Sequence, residues 1–294
     1  MSDSVASLRH KIGSAEELES VVRTMKAMAA SSIGQYENAV HSLDDYYRTV
    51  QLGLAACFRE DKSLDVMPAI KPQKQTAIAA IVFGSDQGLV GQFNEAMVEY
   101  AVNTLEKLPG KKIVWAVGAR IQSRLAETHL QPMAGFTLPN SINAITPLVG
   151  QILIELEAQR EQGLIEQVYL FHNRPKTASV YTPESQQLLP LDEIWLQNLA
   201  KISWPTQNLP QVMNSRERTL RALVREYLFV TLFRACAESL ASENASRLVA
   251  MQRAEKNIDE LLEDLHRTFH RLRQSGIDEE LFDVISGFEA LTES

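Results

Sequence analysis

The sequence predicts a mixed α+β and α/β protein in which two long terminal helices form a coiled coil beside a small central α/β domain. All eleven prolines lie between Pro68 and Pro210, leaving 67 residues before them and 84 after them with none. Proline removes a backbone donor and clashes with the preceding turn, so proline-free stretches are where long helices can run. Both stretches carry apolar residues at heptad spacing, and between them short apolar runs alternate with helical patterns.

In the first stretch Leu8, Ile12, Ala15, Val22, Met25, Ala29, Ser32, Tyr36, Ala39, Leu43, Tyr46, Val50 and Cys57 follow the coiled-coil period, broken only at Glu19 and Gly53. This predicts a helix of about 50 residues, roughly 75 Å long. The middle reads as a buried strand over 76–83, a glycine-rich turn over 84–91 and a helix over 94–108 that stops at Pro109-Gly110. A strand over 112–117, a helix over 119–128, a strand over 133–138 and a helix over 147–162 follow, then a strand over 168–172 with 179–182 beside it. Strands alternating with helices imply a mostly parallel sheet. In the last stretch Met251, Ala254, Ile258, Leu261, Leu265, Thr268 and Leu272 step by threes and fours. After a phase slip at Gly276, Ile277, Leu281, Val284, Phe288 and Leu291 do the same. That helix would hold about 75 residues and run roughly 110 Å. The segments expected are an N-terminal coil helix over 1–66, a central α/β domain over 67–210 and a C-terminal coil helix over 211–294.

The 294 residues carry a formal net charge of −8, which argues against nucleic acid as a partner, since phosphate calls for a basic face. No run approaches the ~18 apolar residues that span a bilayer, and no basic-then-apolar leader opens the chain, so direct membrane insertion is not expected. Cys57 and Cys236 read as reduced thiols. His266 and His270 share a helix face at a spacing that can hold zinc. With no Glu between them in an HExxH pattern they read as solvated side chains beside Arg267 and Arg271, and no metal site is expected.

A turn such as 84–91 can offer backbone N–H groups to a phosphate. Here it lacks the Lys-Ser/Thr that closes a P-loop, does not fit GxGxxG, and sets Asp86 where an anion would sit. It reads as a tight turn. Asp192 and Glu193 are adjacent and cannot face one substrate together. No catalytic residue and no cofactor are therefore expected.

Three segments resemble one family, the gamma subunit of F-type ATP synthases, and together they cover essentially the whole chain. The first is LRHKIGSAEELESVVRTMKAMAAS near the N-terminus, with its basic pair and its Met-rich run into Ala-Ala-Ser. The second is FGSDQGLVGQFN, similar to Ser-Asp-x-Gly-Leu-x-Gly-x-x-Asn. The most specific is SLASENASRLVAMQRAEKNIDELLEDL with the later RLRQSGIDEELFDVISGFEAL, similar to Ser-Glu-x-x-Ala-Arg-x-x-Ala-Met and a closing Ile-x-x-Glu-Leu.

The resemblance implies that the two long helices are antiparallel and act as a central rotor shaft inside a hexameric ring of alpha and beta subunits. The α/β domain would be a foot on the ring of c subunits, together with the epsilon subunit. The chain would catalyse nothing itself and would sit peripherally at the cytoplasmic face of the bacterial inner membrane. By family position Arg9 and Lys11 would line the first helix inside the ring. Met25, Lys26 and Arg247 would approach an acidic lever of a beta subunit, and Gln274, Asp278 and Glu280 an upper bearing and catch. Ser32, Asp278 and Gln87 depart from the family's usual Lys, Thr and Arg, and Val90, Gln92 and Phe93 replace a more glycine-rich run. From the residues alone, a coiled-coil adaptor and an α/β phosphoryl-transfer enzyme using the 84–91 loop stay open as alternatives.

Overall fold

In a computed structural model, which describes residues 4–59, 77–176, 179–191, 193–208 and 215–292, the chain begins with α1 (Val5–Ser42) and α2 (Asp44–Arg59). The central elements are β1 (Ala77–Phe83), α3 (Phe93–Glu106), β2 (Lys112–Val117), α4 (Ala119–Ala126), β3 (Pro132–Phe136), α5 (Ile145–Glu161), β4 (Ile165–Lys176), β5 (Ser179–Leu189) and α6 (Glu193–Ala200). The long α7 (Arg216–Thr292) closes the chain.

β1 is continuously apolar because both of its faces are covered. Ile78, Ala80 and Val82 pack with Met97, Ala101 and Leu105 of α3 and Ile121 of α4. Ala79, Ile81 and Phe83 point the other way, into a core with Val149 and Ile152 of α5, Leu54 of α2 and Leu232 of α7. The strand order is β3-β2-β1-β4-β5, parallel except for the β4–β5 pair. The expected mostly parallel α/β layer is therefore present. β4 and β5 are longer than the apolar runs suggested, since β5 is an edge strand and tolerates Pro183 and a polar run at Glu184–Gln187. α6 was not anticipated; its Trp195 ring lies 4.8 Å from that of Tyr227. Glu193 begins this helix, and Asp192 lies outside the described residues.

Two compact units emerge, Ala30–Arg247 and the pairing of Met1–Ala29 with Leu248–Ser294. In the first, the single N-terminal helix expected from the heptads is broken at Leu43. The Leu43 amide reaches back only three residues to Val40, and Asp44 and Asp45 open α2, where acidic groups suit a helix N-terminus. The break turns the phase. Tyr46, placed in the seam by spacing, is exposed and its hydroxyl donates to Glu226, while Tyr47 packs toward Tyr227. Val50 and Cys57 remain buried as expected. From Val230 to Ser242 α7 is covered on nearly every side, which explains its run of Ala235, Cys236, Ala237, Ser239, Ala241 and Ser242.

In the second unit the chain pairs α1 with α7 in antiparallel order. Lys26 Nζ donates to Glu255 Oε2 at 2.5 Å, and the Arg9 guanidinium lies 5.8 Å from the Phe269 ring centroid. Leu8, Ile12, Ala15 and Ala29 are buried as the spacing requires, and so is Met251. Leu261 is a correction: it is 51 % exposed, and Leu262 turns inward instead. Between 251 and 276 the positions of α7 that are not exposed are 251, 254, 255, 258, 262, 265, 268, 269, 272 and 276, so of the seam positions chosen by spacing only Leu261 lies off the inward face. Glu255 lies on the same face, a polar residue that a search for apolar spacing passes over.

The stripe read beyond Gly276 is a second correction. Ile277, Leu281, Val284 and Phe288 are all exposed, and the side chain of Leu291 lies outside the described residues. Since Arg9 meets Phe269 and α1 starts at Val5, nothing of α1 is left to pack against this stretch.

Candidate partner-contact sites

The 84–91 loop is bound tightly into its own unit. The Ser85 amide donates to Asn94 Oδ1 at 2.9 Å, and Asn94 Nδ2 donates to Ser85 Oγ at 2.8 Å, so one buried amide side chain clamps the turn from both sides. Asp86 Oδ1 accepts the Ala119 amide at 2.7 Å, placing a carboxylate at the first turn of α4, where free N–H groups and the helix dipole favour it. Gly84 is required because a Cβ there would lie 2.2 Å from Ile121 Cβ. Gly118, at φ +117°, would meet the Ser85 carbonyl. Ser85 and Asp86 are thus engaged within the fold, and the buried Val90 carbonyl accepts the Ser246 hydroxyl of α7 at 2.9 Å.

Next to that hydroxyl stands Arg247. It is not a solvated helix charge: its side chain is 13 % exposed, and Nη2 donates to Glu243 Oε1 at 2.6 Å. Burial pushes the Glu243 carboxyl above the usual carboxylate range; Arg247 pulls it back in part, and Asp86 pushes it further up. Among the described residues Glu243 Oε2 and Arg247 Nε have no hydrogen-bond partner.

On the coil, Arg9 and Lys11 are exposed and Met25 is half-buried. Lys26 is half-buried and engaged by Glu255, whose carboxyl its hydrogen bond holds below the usual range, with Arg23 Nε 3.4 Å from the same group. Gln274, Asp278 and Glu280 are exposed, the last two beyond the reach of α1. Around them Ile277, Leu281, Phe282, Val284, Ile285 and Phe288 are each at least 45 % exposed and gather on one side of the helix, within an arc of about 160°, with Glu279, Glu280 and Asp283 on the other. An exposed apolar face of this kind marks a surface that another body covers. The rings of His266 and His270 stack at 6.5 Å, and among the described residues no cluster of three His, Cys, Asp or Glu could hold a metal.

One network was not foreseen. His172 Nε2 meets Glu238 Oε2 at 2.9 Å, and Arg234 Nε donates to Glu238 Oε1 at 2.9 Å while its Nη1 meets Asp44 at 3.3 Å. Burial alone would raise the Glu238 carboxyl, but hydrogen bonds from His172 and Arg234 hold it below its ordinary value. This cluster joins β4, α7 and α2 beside a cavity of about 240 Å³. The i, i+4 spacing of Arg234 with Glu238, and of Glu243 with Arg247, was the available signal. His172 carries no sequence signal, since its partner is 66 residues away.

A family model described as ATP synthase matches residues 4–291. An ATP synthase gamma chain of Anaeromyxobacter sp. (strain Fw109-5) is 26 % identical over 295 residues, covering 98 % of this chain and 99 % of the relative. The gamma chain of Dichelobacter nodosus is 26 % identical over 289 residues, covering 97 % and 98 %. The fold is similar to a chain of the Euglena gracilis mitochondrial ATP synthase rotor, with TM-score 0.65 at 16 % identity over 93 % of this chain and 98 % of that one. A chain of the Tetrahymena thermophila central stalk and c-ring gives TM-score 0.57 at 22 % identity, covering 80 % and 99 %.

Proposed function

The chain belongs to the ATP synthase family, with gamma chains as its relatives, and from that premise we infer that it is the central shaft of a rotary ATP synthase. It is a non-catalytic subunit. The coil of α1 and α7 stands within a hexamer of alpha and beta subunits, and the α/β unit joins the epsilon subunit and the c-ring as a foot. Ion flow turns the ring, and the turning shaft drives the beta subunits through states of different nucleotide affinity. The observation that carries this reading is the apolar face at the end of α7, exposed past the reach of α1, which suits a shaft tip seated in a bearing. The chain would then be peripheral, at the cytoplasmic face of the bacterial inner membrane; no described helix is long and apolar enough to cross a membrane.

Of the contact residues, Arg9 and Lys11 face the inside of the hexamer, Met25, Lys26 and Arg247 an acidic lever, and Gln274, Asp278 and Glu280 the bearing. Met25 lies one residue before Lys26, whose charge Glu255 already engages. A lysine at position 25 adds an uncompensated cation that can hold one rotary state through an ion pair. In vesicles carrying the complex assembled with Met25→Lys, ATP turnover should persist while ATP-driven ion transport falls out of proportion. Parallel changes in both, or no change in either, would remove Met25 from the coupling contact. Failure of the wild-type chain to copurify with alpha and beta subunits would remove the shaft reading altogether.

A further inference from the structure

Charge on the unit formed by the start of α1 and the end of α7 is sorted by height along the coil. α1 carries Arg9 and Lys11 with no acid over 4–15, then Glu16, Glu17 and Glu19 with no base over 12–22, then Arg23 and Lys26 with no acid over 20–29. α7, running the other way, repeats the pattern. It carries Arg267, Arg271 and Arg273 with no acid over 265–277, then Asp259, Glu260, Glu263 and Asp264 with no base over 257–265. Arg253 and Lys256 follow, with Glu255 between them held by Lys26. The contacts of Arg9 with Phe269 and of Lys26 with Glu255 align these runs, so both helices present the same sign at the same level.

We propose that these bands are collars fitting an enclosing protein wall with bands of opposite sign, and that they fix the axial position of the shaft while leaving it free to turn. The proposal rests on the shaft reading above. Successive helix residues point about 100° apart, and two helices contribute, so each collar surrounds the axis. A turn about the axis keeps every charge at its own height. The acidic band and the upper basic band are centred about nine residues, roughly 13 Å, apart. Where the bands meet, Arg267 pairs with Glu263 and Asp264, and Arg23 with Glu19, but the distance between band centres exceeds the ~8 Å over which charge is screened at physiological salt, so an axial slip of that size sets like charge against like. A protein wall suits the surface better than a simple polyion, because Leu18, Val21, Met28 and Leu261 are exposed among the charges.

Two variants separate height from direction. Asp264→Asn with Ser14→Asp moves one carboxylate from α7 to α1 at nearly the same height. Asp264→Asn with Ser275→Asp moves it along α7 into the basic band, about 16 Å away; Ser14, Asp264 and Ser275 are all exposed. Affinity for the alpha and beta hexamer is measured by titration in low and high salt, with circular dichroism confirming that each variant keeps its helix content. The first variant should stay within about two-fold of wild type and the second should bind about five-fold more weakly. The gap should close near 1 M salt, where the screening length is ~3 Å. Equal affinities for the two variants, or a gap that survives high salt, would overturn the collars while leaving the shaft reading intact. A wild-type chain that does not bind the hexamer would overturn both.

Discussion

Replacing Arg247 by methionine is expected to destabilise the Ala30–Arg247 unit by about 3–5 kcal/mol at neutral pH, because it leaves a buried carboxylate without its counter-charge. Glu243 is 5 % exposed, and its near partner is Arg247 Nη2 at 2.6 Å. The sign of the pH dependence follows from burial, which raises this carboxyl above its unfolded value of 4.5 even with Arg247 present. A carboxyl raised on folding costs nothing below its unfolded pKa, where it is protonated in both states, and its cost grows as pH rises through the folded pKa. Arg247→Met raises the folded value further, so its deficit should be largest at neutral pH and shrink toward pH 4.5. Glu243→Gln in the same background should recover most of the loss. Trp115, Trp195 and Trp204 all lie in this unit, so urea unfolding followed by tryptophan fluorescence reads it selectively. A loss under about 1 kcal/mol at every pH would mean that the pair carries little of this unit's stability.

The second large effect separates two adjacent leucines. Leu262→Asp sets a carboxylate into the seam between α1 and α7, and a cost of about 2–3 kcal/mol is expected, with Ile258→Asp behaving alike. Leu261→Asp changes an exposed side chain and should stay within about 0.5 kcal/mol of wild type. Thermal melts followed by far-ultraviolet circular dichroism, where the long helices dominate, provide the comparison. Equal losses at 261 and 262 would mean that the seam register is misassigned.

The same pair of leucines marks how far the sequence could be read. Heptad spacing located the inward face of α1 from Leu8 to Tyr36 because nearly every seam residue there is apolar or small. On α7 the apolar count took Leu261 where its neighbour Leu262 turns inward, and it passed over Glu255, a glutamate satisfied across the interface. The exposed stripe past Gly276 is apolar as a seam would be, and composition cannot tell a seam from a surface awaiting a different chain. β1 and β2 were legible because strands covered on both faces are apolar throughout, whereas the edge strand β5 with its prolines and glutamines was only glimpsed. The break at Leu43 depends on one turn of backbone and on packing of Tyr47 toward Tyr227, neither of which a period of side chains encodes. Of the contact residues, Arg247 was marked out by its place in the family pattern, but its inward commitment to Glu243 required the unit to be folded around it.

The central claim is that this chain turns as a shaft, and rotation of the assembled complex tests it most directly. Cys57 and Cys236 are buried, so Gln131→Cys, at an exposed position before β3, offers a selective thiol for a visible probe while the beta subunits are fixed to a surface. With ATP supplied, the probe should turn in one direction, in discrete steps, at a rate matching ATP turnover. Full ATP turnover with the probe stationary relative to the fixed beta subunits would contradict it.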